Sequence, residues 1–255
     1  MKAVVLIFVL ACSGWSETLS QKTLQEFDAY MQHASKEMSG NPRFWVEQGS
    51  GRREEVLKGH ITTGYYHGKE PRKVTDGLVH DWVGTIFIPQ ARLSEGLRVL
   101  RDYDRHSATY APEMVSSRLT SSADGQDRTT VRIMKRKVIT VVLEADFVST
   151  LRVISPAKAI IEVKSSRISE VDNPGAENET TKAPDTGFGF LWRLNSWYLL
   201  EERPNGLWIQ LRSISLTRGI PLGLGGIVGP MVNSLPRESL ASTLDKTRKA
   251  IQPGR

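Results

Sequence analysis

Five histidines (His33, His60, His67, His80 and His106) and a single cysteine, Cys12, have the widest chemical reach of any residues in this chain. No two histidines stand at helical metal-ligand spacing and no HExxH-like run occurs, so they read as solvated or structurally hydrogen-bonded side chains. Nothing in the pattern calls for a cofactor or metal. His80 adjoins Asp81, but neighbouring residues on a strand point to opposite faces. Asp102-Tyr103-Asp104-Arg105-His106 gathers acids and a base that could exchange protons; helix capping and loop-anchoring ion pairs account for the same residues more simply. No serine stands in a GxSxG context. The glycines from Gly223 to Gly229 lack a phosphate-loop lysine.

The first sixteen residues resemble an export signal: Met1-Lys2 followed by an apolar run from Ala3 to Ala11, too short to span a bilayer. Two readings stay open. Cleavage after Ser16 leaves small residues, Gly14 and Ser16, where leader peptidase reads; Val9-Leu10-Ala11-Cys12 instead resembles a lipobox, with Cys12 as a lipidated anchor. On either reading the expected location is exported, periplasmic or secreted, and the part that folds lacks cysteine. Disulfides, thiolate nucleophiles and cysteine-based zinc sites are thereby excluded there. The composition, 39% hydrophobic and 24% charged over 255 residues, is ordinary for a globular chain with a sizeable core. A net charge of +6 suits an anionic membrane surface or an acidic partner and is too mild to signal nucleic-acid binding.

Chemistry of any kind needs elements to hold it. Leu24, Phe27, Met31, Ala34 and Met38 recur at helical spacing between a capping Ser20 and the stop Gly40-Asn41-Pro42. A strand is expected within Val56 to Tyr66 and another over Leu78 to Pro89, then a short helix from Ser94 to Asp102. A β-rich run follows: Val115 to Ser121, Arg128 to Lys135, Val138 to Thr150, Ala157 to Val171, Gly187 to Glu202 and Leu207 to Arg218. Asp172 to Thr186 reads as a long exposed loop. Gly219 to Leu235 is apolar but broken by glycine and proline, so a regular helix is expected only from Pro236, with Leu240, Leu244 and Ile251 on its buried face. An antiparallel sheet with an apolar face needs a cover, and this last helix is the candidate.

FIPQARLSEGLRVLRDYDRHSATYAPEMVSSRLTS (Phe87 to Ser121) and LTRGIPLGLGGIVGPMVNSLPRESLASTLDKTRKAI (Leu216 to Ile251) resemble the opening and closing segments of the START-like, or SRPBCC, superfamily. DGLVHDWVGTIFIP and GFLWRLNSWYLLEE are similar to exported bacterial members. The resemblance spans roughly residues 78 to 251. It implies an α+β helix-grip fold: a curved antiparallel sheet wrapped around a long C-terminal helix with a cavity between them. Residues 17–77 would then be an N-terminal helix and extension packed on a ligand-binding domain at 78–255, after a signal at 1–16. Members bind lipids, quinones, sterols or polyketides, and some use the cavity for cyclisation, dehydration or hydrolysis.

On a single strand, Phe188, Phe190, Trp192, Leu194, Tyr198 and Leu200 would share one face and Leu191, Trp197 and Leu199 the other. Arg193 and Asn195 interrupt this apolar stretch; facing inward they could orient a polar head group, facing outward they are ordinary surface residues. Leu222, Leu224, Ile227 and Met231 in the Gly219 to Leu235 segment would form a cavity lid. Lys135-Arg136-Lys137 reads as a solvated turn or as a contact with anionic phospholipid. The leading expectation is a binding or carrier protein for a hydrophobic small molecule, with Phe188, Phe190, Trp192, Arg193, Asn195, Tyr198, Leu222, Leu224, Ile227 and Met231 as ligand contacts. A cavity-based enzyme and an interaction module with a self-filled cavity are the alternatives, and no feature fixes an oligomeric state.

Overall fold

A computed structural model describes residues 17–49, 51–69, 71–136, 140–219 and 225–252, with backbone alone for 225–233. The export-signal segment, Leu222 and Leu224 lie outside the described residues, as do the side chains of Ile227 and Met231.

Helix α1 spans Gln21–Met38. Its start is fixed by Ser20, whose Oγ accepts the Thr23 N–H at 3.1 Å, satisfying one of the donors that a helix N-terminus leaves open. Its end meets Arg152, which donates to the carbonyl oxygens of Met38 and Gly40. The buried face is Phe27, Met31, Ala34 and Met38. A short helix α2, Arg52–Leu57, occupies part of the stretch where a strand was expected. Gly51 opens α2 with φ 78° and Gly59, at φ 90°, lies just beyond it, so only Thr62–Tyr65 remains as strand β1. Glu54 and Glu55 in the first turn of α2 complement its N-terminal dipole.

The longer elements that follow are β2 (Arg72–Val74), β3 (Gly77–Pro89), α3 (Leu93–Leu100), β4 (Met114–Ala123), β5 (Gln126–Arg136), β6 (Thr140–Ser155), β7 (Lys158–Asp172), β8 (Arg193–Arg203), β9 (Gly206–Arg218) and α4 (Gly225–Ile251). These strands form one antiparallel sheet in the order β1-β3-β9-β8-β7-β6-β5-β4, with β2 also paired to β3; a separate short pair joins Glu17–Thr18 to Thr186–Gly187, and Thr180–Thr181 pairs the end of β7. Strands β4 to β7 follow one another as hairpins, and the last strand, β9, returns to lie beside β3. Register shifts near Ser116, Thr120, Phe147 and Ile154 are bulges, which bend the strands they interrupt.

Helices cover the sheet from both sides. On one face, α1 and the segment after it pack on Val79, Trp197, Leu199, Trp208, Ile214 and Leu216. On the other, α4 sets Leu240, Leu244 and Ile251 against Trp82, Ile86, Ile209 and Leu211. The α+β architecture, a broad antiparallel sheet with a long C-terminal helix on one face and an N-terminal helix, is the helix-grip arrangement that the START-like resemblance implies.

Two elements depart from expectation. Helix α4 begins at Gly225, not Pro236, and runs 27 residues through Pro230 and Pro236. Each proline removes one i to i−4 bond, but the C-terminal half is anchored by buried Leu240, Leu244, Thr247 and Ile251. Propagation from that anchored half adds a bond for each further residue fixed, which outweighs the local propensity cost. Strand β8 begins at Arg193, not Gly187. Gly187 and Gly189 take φ values of 117° and 72°, which break the expected strand into a loop. The Glu170 carboxylate holds that loop by accepting the N–H groups of Phe188 and Phe190 at 2.7 and 3.0 Å.

Candidate functional site: a cleft beneath the C-terminal helix

Alternation decides which side chains of β8 and β9 look toward α4. From β8 these are Leu194, Ser196, Tyr198 and Leu200; from β9 they are Ile209, Leu211, Ser213, Ser215 and Thr217. The apolar surface continues across the distal strands as Val131, Leu143, Ala145, Phe147 and Ile168, with Ile133, Val163 and Leu194 half-buried beside them. Val163 packs with both this group and the residues beneath α4, so the floor is continuous.

A pocket of about 230 Å³ lies at the edge of α4, between Pro112 and Glu113, the β5 end at Met134 to Arg136, and Leu235, Glu238 and Ser239 of α4. It is narrower than the roughly 300–1,000 Å³ of a pocket for a whole drug-sized molecule, so it suits a slim end of one. Glu113 sits at its rim, paired with Lys246 and, at 3.7 Å, with Lys135. Burial pushes the Lys135 ammonium below its ordinary range, against the pull of Glu113. Burial would raise the Glu113 carboxyl, but the Lys246 hydrogen bond and the nearby lysine charges hold it low.

Four aromatic side chains carry the interior polar groups. Tyr103 donates to Asp127 at 3.1 Å, and Asp127 is also held by Arg101 at 3.0 Å. Tyr110, buried, shares a 3.1 Å hydrogen bond with Thr247 of α4, and burial pushes its phenol up to about 12. The His106 ring lies edge-on between them, 5.3 Å from Tyr103 and 5.1 Å from Tyr110. Burial lowers the His106 pKa, with the carbonyls of Val99 and Leu100 and the charges of Asp102 and Asp104 opposing, so it is neutral near pH 7. Its Nε2 has no partner among the described residues.

Tyr198 is the fourth. It keeps accessible surface, yet burial, reinforced by Tyr110 and Tyr103, drives its phenol far above the ordinary range. Alternation along β8 places its side chain on the α4-facing side of the sheet, with Leu200. Its hydroxyl makes no hydrogen bond among the described residues.

The other candidates lie elsewhere. Trp192 is buried on the α1 face with Trp197 and Leu199, opposite to the side that simple alternation from Tyr198 gives, because the chain is not yet a strand there. Phe188 and Phe190 pair at 5.6 Å in the preceding loop, and Phe190 is exposed. Arg193 forms an ion pair with Asp185, and alternation puts Asn195 on the same side as Trp197. Within the 102–106 run, Asp102 pairs with Arg105 at 3.7 Å and Asp104 accepts the Leu119 N–H at 2.8 Å, so these acids anchor the loop. His60 contacts Glu55, while His33 and His67 both contact Glu37. Among the described residues, no cluster of three or more metal-ligating groups occurs, and no helix is long and apolar enough to cross a membrane. Sequence reasoning missed Ser213, Ser215 and Thr217. Their signal was present as a polar residue at every second position of an apolar strand.

No protein-family model matches the chain, and no curated protein does. Among solved structures it is similar to the STAR-related lipid transfer protein from Xanthomonas axonopodis, with 14% identity and a TM-score of 0.49 over 76% of this chain and 98% of that one. It is also similar to human STARD10, with 12% identity and a TM-score of 0.45 over 78% of this chain and 76% of that one. A third is the Zhui aromatase/cyclase from Streptomyces sp. R1128, at 9% identity and a TM-score of 0.45 over 68% of this chain and 91% of that one.

Proposed function

We propose that the protein binds a hydrophobic small molecule in the cleft between the sheet and α4, acting as a carrier or binding protein in the bacterial envelope. The observation that carries this reading is Tyr198, whose side chain lies on the α4-facing side of the sheet, keeps some accessible surface and has no hydrogen-bond partner among the described residues. Around it, Ile133, Val163 and Leu194 keep partial exposure on a floor that is otherwise buried. An apolar guest gains roughly 25 cal/mol for each Å² it removes from water there. The lysines at the rim, Lys135 and Lys246, supply the contact for an anionic membrane surface from which such a guest is drawn. Export by the N-terminal segment would place the protein beside that membrane, and the mass of natively produced protein reads it: a chain lacking residues 1–16, or an acylated Cys12.

Displacement of a fluorescent apolar probe from the full chain tests binding. The wild type should take up the probe, and Val163→Glu on the cleft floor should lose at least tenfold in affinity while keeping the wild-type circular dichroism. Leu57→Glu, on the exposed surface, should change nothing. A wild type that takes up no probe, or a Val163→Glu variant that binds as the wild type does, overturns the reading.

A further inference from the structure

The α4-facing side of β3 and β9 carries a compact polar group at the end of the cleft opposite α3. His80 is fully buried there, and its Nε2 lies 3.1 Å from Thr217 Oγ1. Thr217 in turn donates to the Arg218 carbonyl at 3.3 Å, which commits its only proton. Thr217 must then accept from His80, so the histidine carries its proton on Nε2 and a lone pair on Nδ1. Nδ1 is buried and has no partner among the described residues. Two residues along the same face, the Trp82 Nε1–H is also buried and lacks a partner among the described residues, while its ring stacks on Tyr65 at 3.9 Å. Ser215 lies directly opposite His80 on β9 and Ser213 directly opposite Trp82. Ser213 reaches Ser196 of β8 at 3.3 Å, and both keep accessible surface.

An unpaired acceptor beside an unpaired donor, both desolvated, is a costly arrangement for a protein to retain: each orphan forfeits about 1–3 kcal/mol. We propose that His80, Trp82, Ser213 and Ser215 form a hydrogen-bonding subsite for the hydroxyl group of an otherwise apolar ligand. This rests on the reading of the cleft as a binding site and names the class of molecule it takes. A hydroxyl satisfies both orphans at once, its oxygen accepting from Trp82 and its proton going to His80. A carboxylate or phosphate does not fit. Among the described residues no buried cation lies beside the two orphans to compensate an anion: Lys73 of β2, opposite Leu78 on this face, and Arg237 of α4, bonded to Thr63, are both exposed, and burial holds His80 neutral with a pKa of about 4. An amine would bring a second donor charge that Trp82 repels. A second polar point lies further along the floor, since the Tyr198 row meets β9 at Leu211, four residues or roughly 13 Å from Ser215.

Three probes with one chain length separate the possibilities when each displaces a fluorescent apolar probe from the full chain: dodecan-1-ol, its methyl ether and dodecanoate. The ether accepts but cannot donate, so it isolates the bond to His80. Dodecan-1-ol should bind about fivefold to tenfold tighter than the ether, the size of one net hydrogen bond of about 1 kcal/mol. In His80→Phe that preference should fall to within about twofold, with the ether bound as in wild type. The His80 side-chain nitrogen resonance of the wild type provides a readout that needs no variant to fold: Nδ1 should shift on adding the alcohol and stay in place on adding the ether. Equal binding of alcohol and ether by the wild type, tighter binding of dodecanoate than of the alcohol, or a preference that survives His80→Phe would each overturn the subsite. If neither alcohol nor ether binds, the cleft reading falls as well, which is a different result from equal binding.

Discussion

Replacing Arg212 with methionine tests what fastens the N-terminal helix to the sheet. The guanidinium is fully buried, donating to Asp81 through Nε at 3.0 Å and Nη2 at 2.6 Å and to Glu37 of α1 through Nη1 at 2.8 Å. The Tyr66 ring stacks 3.6 Å away. Burial opposes the charge on Arg212, but the two carboxylates override it and hold the group firmly protonated. Methionine keeps most of the volume, so little of the loss comes from a cavity. Glu37 retains His67 at 2.7 Å and some exposure, and can rehydrate. Asp81 cannot: it is 5% exposed and keeps only the Tyr30 hydroxyl at 2.7 Å. An uncompensated buried carboxylate sets the cost at about 3–5 kcal/mol. For a chain of this size that lowers the melting temperature by about 10 °C. The double variant Arg212→Met with Asp81→Leu removes the stranded charge as well and should recover most of the loss, leaving about 1 kcal/mol for the orphaned Tyr30 hydroxyl. Urea denaturation at pH 7 measures all three proteins. The reasoning fails if the single variant lies within 1 kcal/mol of wild type, or if the double variant is no more stable than the single.

Two further outcomes are expected. Burial lowers the His80 pKa from 6.5 to about 4, so between those values the unfolded chain binds a proton that the folded chain refuses. Stability should therefore be unaffected above about pH 6.5 and fall by roughly 3 kcal/mol on going down to pH 4, with His106 adding in the same direction; urea midpoints at pH 7 and 4.5 should show the slope, and His80→Phe should flatten it. Gly84→Val should cost about 1–3 kcal/mol, because even a Cβ there meets Leu240 and Leu244 where α4 comes closest to the sheet; calorimetry on the full chain should show the drop, and an unchanged transition would mean the helix is not seated there.

The sequence made α1 legible because Phe27, Met31, Ala34 and Met38 keep helical spacing between explicit signals at Ser20 and Gly40. It also separated His80 from Asp81, since a strand sends neighbours to opposite sides; the structure puts His80 toward α4 and Asp81 toward α1. The pairing of Asp81 with Arg212 was not legible, because it joins residues 131 apart through a register that no local pattern encodes. The start of α4 was hidden by Pro230 and Pro236, whose local preference is overruled by a helix already anchored downstream. The break before β8 was hidden by apolar alternation from Phe188 to Trp192, which imitates a strand; Gly187 and Gly189 were the contrary signal. The polar residues beneath α4 look like ordinary surface positions until β3, β8 and β9 lie side by side.

The packing of α1 on the outer face makes the cleft floor stiff in one half and compliant in the other. Beneath β3, β8 and β9 the sheet is braced from behind by Phe27, Met31, Trp197 and Trp208, and it cannot dish without opening a close-packed layer. The distal strand β4 has no such backing, and its outward side chains are largely in solvent. On the proposed binding reading, a bulky guest would be accommodated by flexing β4 and β5, while the strands that carry His80 and Tyr198 hold their spacing. Selectivity for the polar end of such a ligand would then be set by the rigid half, and tolerance for the girth of its apolar part by the soft one. Changes in α1, on the side of the sheet that no guest touches, would alter how sharply the protein discriminates.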